Sequence, residues 1–342
     1  MTNQFIPKRA FFEPAALDYS LGQEIYKRLK EMKVPIKLTG SHNRVTGIPG
    51  KTPREMFYEA KRTLVVGVRK STEFAGCKPS ANFQLPLATG CSSMCEYCYL
   101  ATTLGKKPYV RVYVNIEDIL RQTHSYIEER KPEITWFEGA ATSDPLPTEY
   151  LTGLLYKTIE FFGTQPLGRF RFVTKHDQVD SLLTAAHNGH TRFRFSINAA
   201  PIIDKYEHAT PSMAERVAAA AKVARAGYPL GFIIAPIFYY PGWEQDYGRL
   251  LQALAEQLPQ TARKDLTFEL ISHRYTKRAK SNILELFPQT ALPMDEGERK
   301  YKYGQFGYGK YVYLPETMAE IKNFLQEKIK GIFPEAYLEY FV

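Results

Sequence analysis

What this 342-residue chain has little of narrows it before any motif is read. It has only four cysteines, Cys77, Cys91, Cys95 and Cys98, and three of them fall within eight residues. That is too few, and too clustered, for the disulfide framework of a secreted protein, so these thiols read as ligands. No run approaches the roughly 18 apolar residues of a membrane span. The opening MTNQFIPKRAFFEP lacks both the apolar core and the cleavage site of a signal peptide, which predicts a cytoplasmic protein. No coiled-coil pattern or long apolar edge asks for a second copy, so a monomer is expected. Acidic residues are in deficit: 36 Asp and Glu against 45 Lys and Arg give a formal charge of +9, which favours a polyanionic partner.

The first 78 residues combine an amphipathic helix near Leu17 to Met32, the Gly/Pro-punctuated stretch SHNRVTGIPGKTP and a short strand at Thr63 to Val68. They predict a layer packed beside a main domain at 79–285, with 286–342 as a C-terminal hairpin and closing helix. In the main domain, strand-length apolar runs alternate with helical segments, the signature of a parallel α/β sheet. The strands are predicted at Phe83–Ala88, Ile134–Phe137, Phe170–Thr174, Arg192–Ile197, Gly231–Ile237 and Leu266–Ile271. The helices are predicted near Ile116–Glu129, Tyr150–Phe162, Val179–His187, Met213–Ala226 and Glu244–Leu258. Ser212 with Glu215 forms a capping-box pattern, and Gly227 supplies a left-handed terminator. About six units are too few to close an eight-stranded barrel, so the fold class is α/β: a partial, open (β/α)6 TIM-like barrel.

Directly after the first predicted strand comes ATGCSSMCEYCYLATT, giving Cys91-x3-Cys95-x2-Cys98. Three thiolates on one tight loop can hold three irons of a [4Fe–4S] cluster and leave the fourth open. An open iron can chelate the amino and carboxylate groups of S-adenosylmethionine. The competing reading is structural zinc with Cys77 as fourth ligand, but paired C-x2-C knuckles are absent. Cys77 reads instead as a plain thiol.

Active sites of parallel barrels lie at the C-terminal ends of the strands. There the chain presents Ser143 and Asp144, then Lys175, then Ser196 and Asn198. Together they offer a cation for a carboxylate, and hydroxyl or amide groups for an amine and a ribose. After the sixth strand, SHRYTKRAKSN brings together Arg274, Lys277, Arg278 and Lys280, a phosphate-binding pattern. In GERKYKYGQFGYGKYVYLP, Lys300, Tyr301, Lys302 and Tyr303 alternate before the Gly304, Gly307 and Gly309 turn, and Lys310, Tyr311 and Tyr313 follow. Period-two alternation predicts a hairpin with lysines on one face and tyrosines on the other. Exposed aromatics can add about 1–3 kcal/mol per stacked base, enough to offset extrusion of a damaged step.

The CxxxCxxC loop, with Tyr97 before its last cysteine, resembles the radical S-adenosylmethionine superfamily. In that superfamily the cofactor supplies the hard chemistry and the protein positions it. The match to its backbone contact with adenine falls on Ala235. EPAALDYSLGQEIYKRL, SHNRVTGIPGK, LVVGVRKS, ATGCSSMCEYCYL, the TSD turn, RFRFVTK and HRYTKRAKSN together resemble the spore photoproduct lyase family over almost the whole chain. The resemblance implies reversal of a methylene-bridged thymine dimer, 5-thyminyl-5,6-dihydrothymine, in double-stranded DNA. It also implies a [4Fe–4S] cluster, S-adenosylmethionine and an electron donor such as flavodoxin or ferredoxin. It assigns radical relay to Tyr97 and Tyr99, and it places Ala141 where a cysteine donates the returning hydrogen atom. An alanine there, whether a natural divergence or a deliberate replacement, predicts binding without efficient completion of repair. Two other readings are a radical enzyme acting on another nucleic acid and a zinc-stabilised DNA-binding protein.

Overall fold

The computed structural model describes residues 4–105, 107–303 and 309–342. The chain divides into two compact units, one of Met1–Ser92 and Thr103–Phe193, the other of Ser93–Thr102 and Arg194–Val342.

The first unit holds a five-stranded sheet in the order Ile36–Leu38, Arg9–Phe12, Thr63–Gly67, Val110–Tyr113, Ala88–Thr89. The first four are parallel and the last antiparallel. Leu64, Val65 and Val66 are wholly buried, as a parallel strand covered on both faces requires. Helix Ser20–Glu31 buries Leu21, Ile25 and Leu29 at four-residue spacing. Helix Pro53–Lys61 opens on a capping box between Thr52 and Glu55 and ends the Gly/Pro-punctuated stretch.

A second set of strands in this unit runs Gly76–Cys77, Ala81–Gln84, Thr135–Glu138, Gly168–Thr174, each paired with the next. The strand predicted at Phe83–Ala88 is therefore split: Ala81–Gln84 joins this set and Ala88–Thr89 joins the five-stranded sheet. Pro86 lies between them, without the N–H that a continuous ladder needs. The predicted helix Tyr150–Phe162 is also two pieces, Glu149–Thr152 and Leu154–Gly163, broken at Gly153 with φ +60°. The predicted helix Val179–His187 reduces to a 3₁₀ turn at Asp180–Leu182. Its two buried anchors, Val179 and Leu182, are three residues apart, the 3₁₀ repeat, and Asn188 and Gly189 then turn left-handed. Helix Ile116–Glu129 has its predicted bounds.

Strand Thr191–Ile197 begins in the first unit and ends in the second. In the second unit Leu230–Ile237, Thr267–Ser272 and Tyr337–Phe341 form a parallel ladder. Helix Met213–Arg225 carries the predicted capping box of Ser212 and Glu215. Helices Trp243–Gln257, Lys277–Leu286 and Pro315–Ile332 follow. Lys300–Tyr303 pairs antiparallel with Gly309–Val312. The turn between them, with Gly304 and Gly307, lies outside the described residues.

Candidate active site

In the first unit the cysteine loop starts at a constrained point. Gly90 has φ +80°, and a Cβ there would come within 2.2 Å of the Tyr109 carbonyl oxygen, so only glycine fits. Its N–H donates to the Thr142 carbonyl at 2.9 Å, and Gly90 bridges to Ser143. The Cys91 carbonyl accepts from the Nζ of Lys61 at 2.7 Å, a lysine only 1 % exposed. Ligand atoms of Cys91, Asp144 and His176 lie within 4.8 Å of one another.

Asp144 is held by the end of strand Gly168–Thr174. One of its oxygens accepts from the Thr174 hydroxyl at 3.0 Å and the Lys175 N–H at 2.9 Å, and the other accepts from the Leu146 N–H at 3.3 Å. The neighbouring Ser143 hydroxyl is buried and has no hydrogen-bond partner among the described residues. A buried, unpaired hydroxyl costs free energy until a ligand satisfies it. Ser143 therefore fits an incoming amine or carboxylate. Glu138 links Ser80, whose hydroxyl donates to it at 2.9 Å, to Ala140, whose N–H donates to it at 3.1 Å, next to Ala141.

The second unit holds the rest of the loop. Cys95 pairs with Glu207 and Met94 with His208 in a short antiparallel ladder, and the Cys98 N–H donates to the Cys95 carbonyl at 3.2 Å. Glu96 is paired with His208 at 2.8 Å and accepts from the Thr290 hydroxyl. The Tyr97 hydroxyl donates to Glu207, whose other oxygen accepts from Arg216 at 2.6 Å. Arg216 is fully buried and also donates to the carbonyls of Pro211 at 3.0 Å and Ser196 at 3.1 Å. Burial first, and then the Glu207 carboxylate, hold the Tyr97 phenol well above its usual range. Tyr99 is 58 % exposed. Asn198 is wholly buried: its amide donates to the Pro236 carbonyl at 2.8 Å, and its oxygen accepts from Tyr247 at 2.9 Å and Ala199 at 3.0 Å. That use makes it a brace for the strand end. Ala235 is half-buried on strand Leu230–Ile237.

The expected cationic residues gather within the second unit. Lys277 and Arg278 are exposed in the first turn of helix Lys277–Leu286, the end whose dipole already carries positive charge. Lys302 and Lys310 face each other across the hairpin ladder. Burial, and then the charges of Arg274 and Lys302, push Lys310 below its usual range. Like charges directly opposite are destabilising, so this arrangement suits an anion. Lys280 is paired with Glu296 at 3.1 Å. Lys300 and Tyr303 are exposed, the latter by 79 %. Tyr311 corrects the expected exposed tyrosine face: it is 8 % exposed, stacks on Tyr275 and donates to Glu296 at 2.5 Å. Tyr313 is likewise buried, beneath the Arg299 guanidinium at 3.6 Å. Both are anchors of the hairpin, because its second strand bridges to Tyr275.

Residue spacing gave no sign of Lys61, His176, Glu207 or Arg216. The partners named above lie between 5 and 110 residues away along the chain, except for His176, which stands one place beyond the Lys175 strand end.

A family model described as spore photoproduct lyase matches residues 5–342. The spore photoproduct lyase of Geobacillus sp. (strain Y412MC61) is 52 % identical over 337 residues, spanning 98 % of this chain and 99 % of that one. That of Bacillus subtilis (strain 168) is 50 % identical over 341 residues, spanning both chains entirely. Among solved structures, a spore photoproduct lyase double mutant with bound AdoMet and dinucleoside spore photoproduct has TM-score 0.96 and 53 % identity, covering 99 % of this chain and 100 % of that one. A second structure, a spore photoproduct lyase complexed with the dinucleoside spore photoproduct, matches equally well. The chain belongs to the spore photoproduct lyase family, radical S-adenosylmethionine lyases built on a partial α/β barrel.

Proposed function

We propose that this chain repairs DNA by returning the spore photoproduct, 5-thyminyl-5,6-dihydrothymine, to two thymines. The carrying observation is the family match along residues 5–342, which includes the Cys91, Cys95 and Cys98 loop. Those three thiols are the donor set of a [4Fe–4S] cluster with one open iron. The buried Ser143 hydroxyl suits S-adenosylmethionine at that iron. Held there, the cluster and S-adenosylmethionine would supply radical hydrogen abstraction from the lesion.

The chain's own residues orient and finish the reaction. Lys175, Ser196 and Ala235 line strand ends from which a carboxylate, a ribose and an adenine can be held, and Asn198 braces one of them. Tyr97 is fixed by Glu207 and Arg216 as a relay, with Tyr99 as its exposed neighbour. Arg274, Lys277, Arg278, Lys302 and Lys310 bind phosphates, and Tyr303 offers a stacking face. Ala141 cannot return a hydrogen atom, because a methyl C–H bond is far stronger than a thiol S–H bond.

Cys77 is the thiol outside the cluster loop. Its turn is tied through Ser80 and Glu138 to the Ala140–Ala141 segment. One solved relative is a mutant that exchanges a cysteine for alanine and a serine for cysteine, the same pairing of residue types. Cys77 is the reading we favour for the donor: its S–H hydrogen passes to the thymine allyl radical, and the thiyl left behind returns to the thiol by taking one electron, relayed through the tyrosines from the flavodoxin or ferredoxin, and one proton from solvent. The chain works as a cytoplasmic monomer supplied with electrons by a flavodoxin or ferredoxin.

The test is anaerobic reconstitution with a lesion-bearing oligonucleotide. The chain should release 5′-deoxyadenosine and intact thymine, and Cys91→Ala should release neither. Cys77→Ala should keep the 5′-deoxyadenosine and lose at least tenfold in thymine, and Ala141→Cys should restore it. Absence of 5′-deoxyadenosine from the loaded wild type overturns the reading.

A further inference from the structure

The stretch SHNRVTGIPGK at 41–51 has no part in the chemistry described so far, yet it forms one wall of a cavity of about 300 Å³ in the first unit. Asn43, Arg44, Thr89, Lys107, Tyr109 and Arg111 line it, and no lining residue is acidic. Arg111 is aimed by its neighbours. Its guanidinium donates to Asn43 at 3.0 Å, to the Tyr113 hydroxyl at 3.3 Å and to the Tyr109 hydroxyl at 3.4 Å. The nearby carboxylate of Glu13 is already engaged by His42, at 2.7 Å, and by the Val68 N–H at 3.0 Å. Among the described residues, Arg44, Lys107 and Arg111 therefore share one concavity with no carboxylate paired to any of them. Three like charges repel one another there, and a bound anion relieves the repulsion. Guanidinium forks and hydroxyls match phosphate oxygens in particular.

The location gives the anion its source. Thr89, which pairs with Arg111 across the sheet, stands two residues before Cys91, and Leu104 and Lys107 follow the loop on its other side. The cavity is thus walled by the two ends of the cysteine loop. Two residues span at most about 7 Å, the axial length of roughly two nucleotide steps of one strand.

We propose that this cavity is a backbone-phosphate site that seats a phosphodiester of the lesion-bearing strand beside the cysteine loop. It rests on the reading that the substrate is a lesion within DNA, and it adds a contact that a dinucleoside, with no phosphate, cannot make.

The test is fluorescence anisotropy of the reconstituted full chain on a lesion-bearing duplex between 50 and 200 mM salt, with Arg44→Ala, Lys107→Ala and Arg44→Lys. Arg44 is exposed, so its replacement leaves the fold intact. Each alanine variant should bind about three- to tenfold more weakly at the low-salt end, with the log–log salt slope reduced by about 0.9, one phosphate's share. Arg44→Lys should keep the wild-type slope. In a second arm, calorimetry with inorganic phosphate separates a free anion from a strand phosphate. The proposal is overturned if the alanine variants keep the wild-type slope on duplex, or if wild type binds inorganic phosphate through Arg44 while its duplex affinity ignores that residue. Failure of wild type to bind lesion duplex at all would instead remove the functional reading beneath it.

Discussion

Arg194 and Arg216 in the interior, and Arg274, Lys302 and Lys310 near the hairpin, carry the same charge under opposite conditions. The interior pair is compensated. Arg194 meets Glu269 at 2.6 Å with both side chains nearly fully buried, and Arg216 meets Glu207 with further donations to two carbonyls. The hairpin group faces its own kind, Lys302 opposite Lys310, whose pKa is lowered first by burial and then by the charges of Arg274 and Lys302. A fully buried charge must be compensated on folding, whereas charges at a half-open rim can also be met by a bound ligand. The first group therefore specifies the fold and the second the ligand.

The comparison breaks most visibly in the interior. Arg194→Met removes a buried cation from the Glu269 carboxylate it meets at 2.6 Å, and should cost about 3–5 kcal/mol in chemical denaturation. An equal loss from Lys302→Ala would erase the distinction. Glu149 sharpens it, being buried with two backbone N–H donors, at 2.8 and 2.9 Å, and no cation paired with it among the described residues. Burial pushes its pKa from 4.5 up to about 7, against the lowering effect of those hydrogen bonds. The folded chain thus binds this proton more tightly than the unfolded one. The stability it contributes is full below pH 4.5 and is lost as pH rises through about 7. Between pH 4.5 and 8 the stability difference should move in favour of Glu149→Gln by on the order of 3 kcal/mol. A pH-independent difference would mean that the carboxyl is solvated.

Ser143 tests the boundary between the two kinds of group. Ser143→Ala removes an unpaired buried hydroxyl, so the ligand-free melting temperature should hold or rise. Affinity for S-adenosylmethionine should fall about tenfold, worth about 1.4 kcal/mol. The smallest effect belongs to the rim. Lys302→Ala should weaken lesion-duplex binding a few-fold, lower the salt slope by about 0.9 and leave stability unchanged or slightly improved. A clear loss of stability would show that the lysine holds the hairpin rather than the DNA.

Much of this was legible along the chain where the signal is local. The cysteine spacing, the capping box at Ser212, helix Ile116–Glu129 and the strand ends carrying Ser143, Asp144 and Lys175 all depend on neighbours a few residues apart. The five-stranded sheet of the first unit was not legible, because its strands of two to five residues pair across gaps that no periodicity spans. Lys61, Glu207 and Arg216 escaped for the same reason: each takes its meaning from a partner brought close only by folding. Tyr311 shows the limit of a two-residue period. The alternation placed it on a face correctly, but could not say that Tyr275 already covers that face.

Gly90 fixes where the first thiol stands. Because the chain can pass the Tyr109 carbonyl only without a side chain, and Lys61 grips the Cys91 carbonyl, the start of the cysteine loop is positioned by backbone sterics and a protein donor. The polypeptide is the mould and the inorganic core the casting. A methyl group added at this one position would deform the mould while leaving every ligand untouched.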